Sequence, residues 1–165
     1  MFSQEIMNEV AELESRYPER KSALIPLLHL IQREKGWIST ESMDWVAEHL
    51  DLSPVHVQGV TTFYTMFNTK PVGKYFLQLC RTLSCELRGS REIRAHISKR
   101  LGIESGETTA DGLFSLLEVE CLGACGTAPA MMINNDYYEN LSIERIDEIL
   151  TQLGAGVSEA STEEG

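Results

Sequence analysis

The stretch KYFLQLCRTLSC, residues 74–85, decides how the chain folds. Lys74 to Leu79 is a short apolar, aromatic-rich run, the pattern of a mostly buried strand, and it delivers two thiols, Cys80 and Cys85, at its carboxyl end. The arrangement returns in LFSLLEVECLGAC, residues 113–125, where a second apolar run from Leu113 to Glu120 leads directly into Cys121 and Cys125. Between the two, Ser90 to Leu101 carries Ile93, Ile97 and Leu101 at helical spacing, with Ser90 as the expected cap and Gly102 as the stop. Strand, helix and strand in that order make a right-handed crossover and set the two strands parallel. Loops leaving the carboxyl ends of neighbouring parallel strands meet at one point, so all four thiols are expected to converge there.

Downstream, Ala130–Ile133 and Tyr137–Tyr138 flank the turn-forming trio Asn134-Asn135-Asp136 and predict a hairpin. Pro129, immediately before it, is expected to be cis. Ser142 opens a last helix with Ile143, Ile146, Ile149 and Leu150 inward and Gly154 at its end. The resulting order, β-α-β-β-β-α, reads as thioredoxin-like. Upstream, four helices are expected: Ser3 to Tyr17, Ser22 to Lys35, Thr40 to Leu50, and a fourth with Ser53 as cap and Pro54 at its first position, ending near Phe63. The aromatic run TTFYTMF, residues 61–67, is assigned to the core. The fold class is therefore α/β (α+β): an N-terminal helical domain, 1–70, then a thioredoxin-like domain, 71–153, and an acidic, disordered tail, 154–165.

Composition narrows the chemistry. A net charge of -11 leaves no basic stripe to neutralise phosphates, which argues against nucleic acid as a partner. No run approaches the roughly 18 apolar residues of a membrane span, and MFSQEIMNEV has neither a basic nor an apolar leader segment, so the expected compartment is the cytoplasm. There, persistent disulfides are rare, and four cysteines in two pairs point first to metal. The chain has no G-x-G-x-x-G after a strand and no P-loop, so it carries no NAD or FMN site and no catalytic residue of its own. His29, His49, His56 and His96 are scattered and are not expected to bind metal, while the charges of REIRAHISKR (91–100) and the flanking Arg81 and Arg88 read as solvated.

The layout is C-x4-C, 35 residues, then C-x3-C. Two irons bridged by two sulfides need two thiolates each, and two close pairs on separate loops supply them. The glycines of CLGACG permit turns that aim N–H groups at sulfur, which raises a reduction potential, whereas Glu86, Glu118 and Glu120 act in the opposite sense. Structural zinc also takes four cysteines, although usually from C-x2-C knuckles, and stands as the alternative. A thiol–disulfide oxidoreductase would want C-x2-C at a helix start, and neither pair has it.

CRTLSC, TTADGLFSLLEVECLGACGTAPAMMIN, VTTFYTMF followed by PVGKY, and LLHLIQREKGWIS together resemble the thioredoxin-like [2Fe-2S] subunit of bacterial NADH:quinone oxidoreductase, respiratory complex I, from about Ser22 to Leu153. The resemblance implies one [2Fe-2S] cluster, with Cys80 and Cys85 on one iron and Cys121 and Cys125 on the other. It implies an iron–sulfur component of an oxidoreductase that exchanges single electrons with the FMN of a flavin- and NADH-binding partner subunit, the cluster lying beside the flavin and off the main chain of clusters towards quinone. The chain would then be peripheral to the inner membrane on its cytoplasmic side, reaching it only through the complex. The same module occurs, by resemblance, in NAD-linked hydrogenases and formate dehydrogenases, which are the alternative assemblies.

Overall fold

The structure, a computed structural model, describes residues 3–160 and divides into two compact units, Met1–Pro71 and Val72–Gly165. The first is helical: α1 (Gln4–Ser15), α2 (Leu24–Lys35, after a 3-10 turn at Arg20–Ala23), α3 (Thr40–Leu50) and α4 (Pro54–Phe63). Local chemistry sets these ends. The Ser3 and Ser39 hydroxyls accept from the amides of Ile6 and Ser42, at 3.4 and 3.1 Å, and so satisfy donors that a helix start leaves open. Pro26 falls in the first turn of α2, where its missing N–H costs nothing. Gly36 then ends that helix at φ +77, a conformation that side chains disfavour. Leu27, Leu28, Ile31, Ile38, Val46 and Val57 are among the side chains that fill the core.

The aromatic run expected in that core mostly faces water. Phe67 and Thr61 are buried, but Phe63 is 75% exposed and Met66 44%. The reason lies in α4, which turns Val57 and Thr61 inward one helical turn apart, the Thr61 hydroxyl donating to the Val57 carbonyl at 2.9 Å. Phe63, two residues further on, therefore points away. Ser53 stands at the cap position without a side-chain bond to the helix.

The second unit runs β1 (Tyr75–Cys80), α5 (Leu83–Leu87), α6 (Ser90–Leu101), β2 (Phe114–Val119), β3 (Met131–Ile133), β4 (Asp136–Tyr138) and α7 (Ile143–Ala160). The sheet order is β2-β1-β3-β4. β1 pairs parallel with β2 from Tyr75↔Phe114 to Cys80↔Val119, while β3 is antiparallel to β1 and to β4. Leu77, Leu79, Leu116 and Met131 from the sheet meet Ile93, Ile97, Ile146 and Ile149 from α6 and α7 in one apolar layer.

Three local features differ from expectation. α5 is one short turn that begins inside the C-x4-C spacer and carries Cys85, too brief to show a periodic pattern. α6 is capped by Gly89 at φ +97, and Ser90, the expected cap, is buried as its first residue. α7 passes through Gly154 to Ala160, because an interior glycine costs a helix about 1 kcal/mol but ends it only where the chain turns left-handed. Of the tail expected to be disordered, residues 161–165 lie outside the described residues.

Two contacts yield predictions. Gly73 enters β1 with its N–H donated to Ser115 Oγ at 2.7 Å, and a Cβ there would sit 2.8 Å from the Phe114 carbonyl carbon. Gly73→Ala should destabilise the second unit by about 1–3 kcal/mol, the usual range for overpacking, read as a lowered denaturant midpoint. Between α6 and α7, Asp147 Oδ1 meets His96 Nε2 at 2.8 Å and also accepts from Arg100. The His96 bond, with the Arg100 charge, holds the Asp147 carboxyl below its ordinary range. A folded-state value below the unfolded one contributes stability that is present above the unfolded pKa and is lost as pH falls through the folded one. Asp147→Asn should therefore flatten the loss of stability below about pH 4, as measured by denaturation at stepped pH.

Candidate metal centre

Cys80 is the last residue of β1, and its register partner Val119 stands two residues before Cys121, so the parallel pairing sends both thiol-bearing loops off the same end of the sheet. α5 then folds the chain back, with the Glu86 amide donating to the Thr82 carbonyl at 2.9 Å, and returns Cys85 towards Cys80. Both are buried, each 2% exposed, and pack with Ala128 and Ala130. Cys121 and Cys125 are exposed, their sulfurs 3.7 Å apart. All four are free thiols. Two thiolates on one tetrahedral metal at bonds of about 2.3 Å stand about 3.8 Å apart, which is the separation of this outer pair. Gly123 at φ +80 lets the outer loop turn sharply enough for its own N–H to reach Cys121 Sγ at 3.4 Å.

The sulfurs sit in a field of donors. Burial pushes the Cys80 thiol up, but the Thr82 hydroxyl and amide, the Leu122 amide and Cys85 outweigh it, and the net direction is down. Cys121 is lowered chiefly by the Gly123 amide, then by Cys125 and by the Thr82 hydroxyl. Burial and the Cys80 bond instead raise Cys85 to about 11 despite the Ala130 amide. A metal reverses that cost, since it binds thiolate and displaces the proton.

Several bonds hold the loops. The Ala128–Pro129 bond is cis, as expected. Tyr137 donates its hydroxyl to the Leu122 carbonyl at 3.0 Å, and the Asn140 amide donates to the Thr127 carbonyl at 2.7 Å. Arg81 is solvent-exposed, as expected, and there pairs with Glu120 at 2.6 Å, joining the first residue after β1 to the residue before Cys121. Glu118 and Glu86 likewise have arginine partners, Arg94 at 3.5 Å and Arg91. The charges of residues 91–100 lie on an exposed helix face, as expected, where Arg91, Arg94 and Arg100 each pair with a carboxylate of the chain. His49 and His96 each meet one carboxylate, Glu14 and Asp147, and neither joins the thiols. Thr82 and Tyr137 escaped the sequence reading; the one available signal was a hydroxyl two positions after a ligand-type cysteine.

This donor set suits a two-iron cluster. Four sulfurs stand as two pairs, with amides aimed at them and open space beside Gly123 and Gly126.

Residues 10–154 match the thioredoxin-like [2Fe-2S] ferredoxin family. The chain belongs to that family. It is 43% identical over 155 residues to the E 2 subunit of NADH-quinone oxidoreductase from Rhizobium meliloti (strain 1021), spanning 94% of this chain and 92% of that one. It is 43% identical over 155 residues to the E subunit of NADH-quinone oxidoreductase from Rickettsia bellii (strain RML369-C), spanning 92% and 93%. With NADH dehydrogenase [ubiquinone] flavoprotein 2, mitochondrial, of Dictyostelium discoideum it shares 48% identity over 155 residues, covering 92% of this chain but 63% of that protein. Among solved structures, an air-oxidized NAD+-reducing [NiFe]-hydrogenase aligns with a TM-score of 0.72 at 22% identity over 82% of this chain and 23% of that one. That likeness establishes the fold. A thioredoxin-like [2Fe-2S] ferredoxin carries one cluster, and all four cysteines of this chain are free.

Proposed function

We propose that this chain is the iron–sulfur component of an NADH-quinone oxidoreductase that its E-type relatives supply, and that Cys80, Cys85, Cys121 and Cys125 ligate its one [2Fe-2S] cluster, the first two on one iron and the last two on the other. The observation that carries the ligand assignment is the meeting of two thiol pairs at the ends of two paired parallel strands, with the outer pair at 3.7 Å. The cluster, when bound, accepts or returns one electron at a time. The protein's part is to fix the four sulfurs, to exclude water from the Cys80 and Cys85 side, and to direct the amides of Thr82, Leu122, Gly123 and Ala130 at thiolates.

The electron's other station is the FMN of a partner subunit that binds NADH, since this chain has no dinucleotide fingerprint. Among the described residues no helix is long and apolar enough to cross a membrane, in keeping with a cytoplasmic subunit that meets the inner membrane only through its complex. NADH-quinone oxidoreductase relatives at 43% identity favour this assembly over the hydrogenase, whose likeness at 22% concerns the fold. We assign the helical unit to partner contact. Its α4 presents Val55 and Phe63, each 75% exposed and two helical turns apart, to solvent.

Protein purified without oxygen should hold about two irons and two sulfides per chain, with a rhombic paramagnetic resonance signal on reduction. Cys121→Ser and Cys125→Ser should each lower iron content or shift the reduction potential. One zinc without sulfide would replace the redox reading with a structural one, and wild-type iron and potential in both variants would remove these ligands. Residues 72–165 expressed alone should keep the cluster yet bind the flavin subunit at least tenfold more weakly, as seen by calorimetry; unchanged affinity would withdraw the contact role of the helical unit.

A further inference from the structure

Thr82 occupies the cap position of α5 in extended backbone, φ -84 and ψ 169, where a threonine ordinarily turns its oxygen onto the helix's free N–H groups. It does not do so, and the helix start has no side-chain cap. The hydroxyl oxygen lies instead 3.2 Å from Cys80 Sγ, on a half-buried side chain where water competes weakly for it. We propose that Thr82 is a positioning residue for the cluster: its hydroxyl donates to the Cys80 thiolate and raises the potential at which the cluster takes its electron. The inference rests on Cys80 being a ligand.

The direction of the bond follows from chemistry. A metal-bound thiolate has lost its proton and can only accept, so the hydroxyl must donate. Reduction adds negative charge that is shared by the ligand sulfurs, and a donor fixed beside one of them favours the reduced form. Thr82 also bears on Cys121, the first thiol of the other loop. A hydroxyl has one proton, however, and the contact at 3.2 Å assigns it to Cys80. Capping alone would explain a threonine here only with its oxygen on the helix.

The test uses the full chain with its cluster in three forms: wild type, Thr82→Val, which keeps the shape and loses the hydroxyl, and Thr82→Ser, which keeps the hydroxyl. Iron and sulfide per chain are measured first, then the reduction potential from the paramagnetic resonance signal as the applied potential is stepped. Thr82→Val should bind a full cluster whose reduction equilibrium is about tenfold less favourable, a fall of about 59 mV for one electron, and Thr82→Ser should restore most of it. A fully loaded valine variant at wild-type potential overturns the proposal, as does a serine variant shifted as far as valine. If valine fails to load, Thr82→Ala replaces it; should neither load while serine does, the hydroxyl serves assembly rather than potential, and the proposal is likewise overturned. Cys80→Ser run alongside separates the outcomes, because a full, unshifted cluster in that variant removes the ligand assignment itself.

Discussion

The parallel ladder between Tyr75–Cys80 and Phe114–Val119 is the constraint that the rest of the second unit answers to. Each strand hands over to a thiol loop within two residues of its end, so a slip of one position would turn Cys80 to the opposite face of the sheet and separate the sulfurs. Other features guard that register. Ser115 accepts the Gly73 amide at one end of the ladder, in a space too narrow for any side chain on residue 73. At the other, the Cys80 amide donates to the Ala130 carbonyl at 3.1 Å and the Arg81 amide to that of Val119 at 3.0 Å, carrying main-chain bonding to the edge of the metal centre.

Beyond the ladder, the two loops are built on different principles. The inner loop buries its sulfurs against Ala128 and Ala130, and its rigidity comes from packing and from the single turn of α5. The outer loop leaves Cys121 and Cys125 exposed and relies on Gly123 in the left-handed region, the Tyr137 bond to Leu122 and the Arg81–Glu120 pair. That ion pair is exposed on both sides and adds little stability, but it removes an unpartnered carboxylate from beside the thiols.

The sequence carried most of the architecture because the features that specify it are local. Pro54 at a helix start, Gly36 and Gly102 at helix ends, and strands that break into cysteines all announce themselves within a few residues. What it did not carry depends on which way a residue faces once its neighbours are packed. TTFYTMF reads as core by composition, yet the inward turn of Val57 and Thr61 commits Phe63 to solvent. Ser90 reads as a cap by type, yet Gly89 takes that role and Ser90 is buried. Glycine at 154 reads as a stop, yet α7 runs on through it, because a glycine acts as a C-terminal cap only where the backbone turns left-handed.

The same division runs through the site. The four cysteines are legible from spacing, because two pairs after two strands leave the chain few ways to arrange them. Their electrostatics are not, since the groups that act on sulfur are main-chain amides, which every residue but proline possesses, and a hydroxyl whose usual purpose is capping. Aiming an amide is a property of backbone direction rather than of residue type. Gly123 is the exception, because a left-handed φ restricts the residue and so leaves a mark in the sequence. Burial divides the pairs further. It raises the packed Cys85 to about 11, whereas Cys121, open to solvent, is lowered by the amide of Gly123.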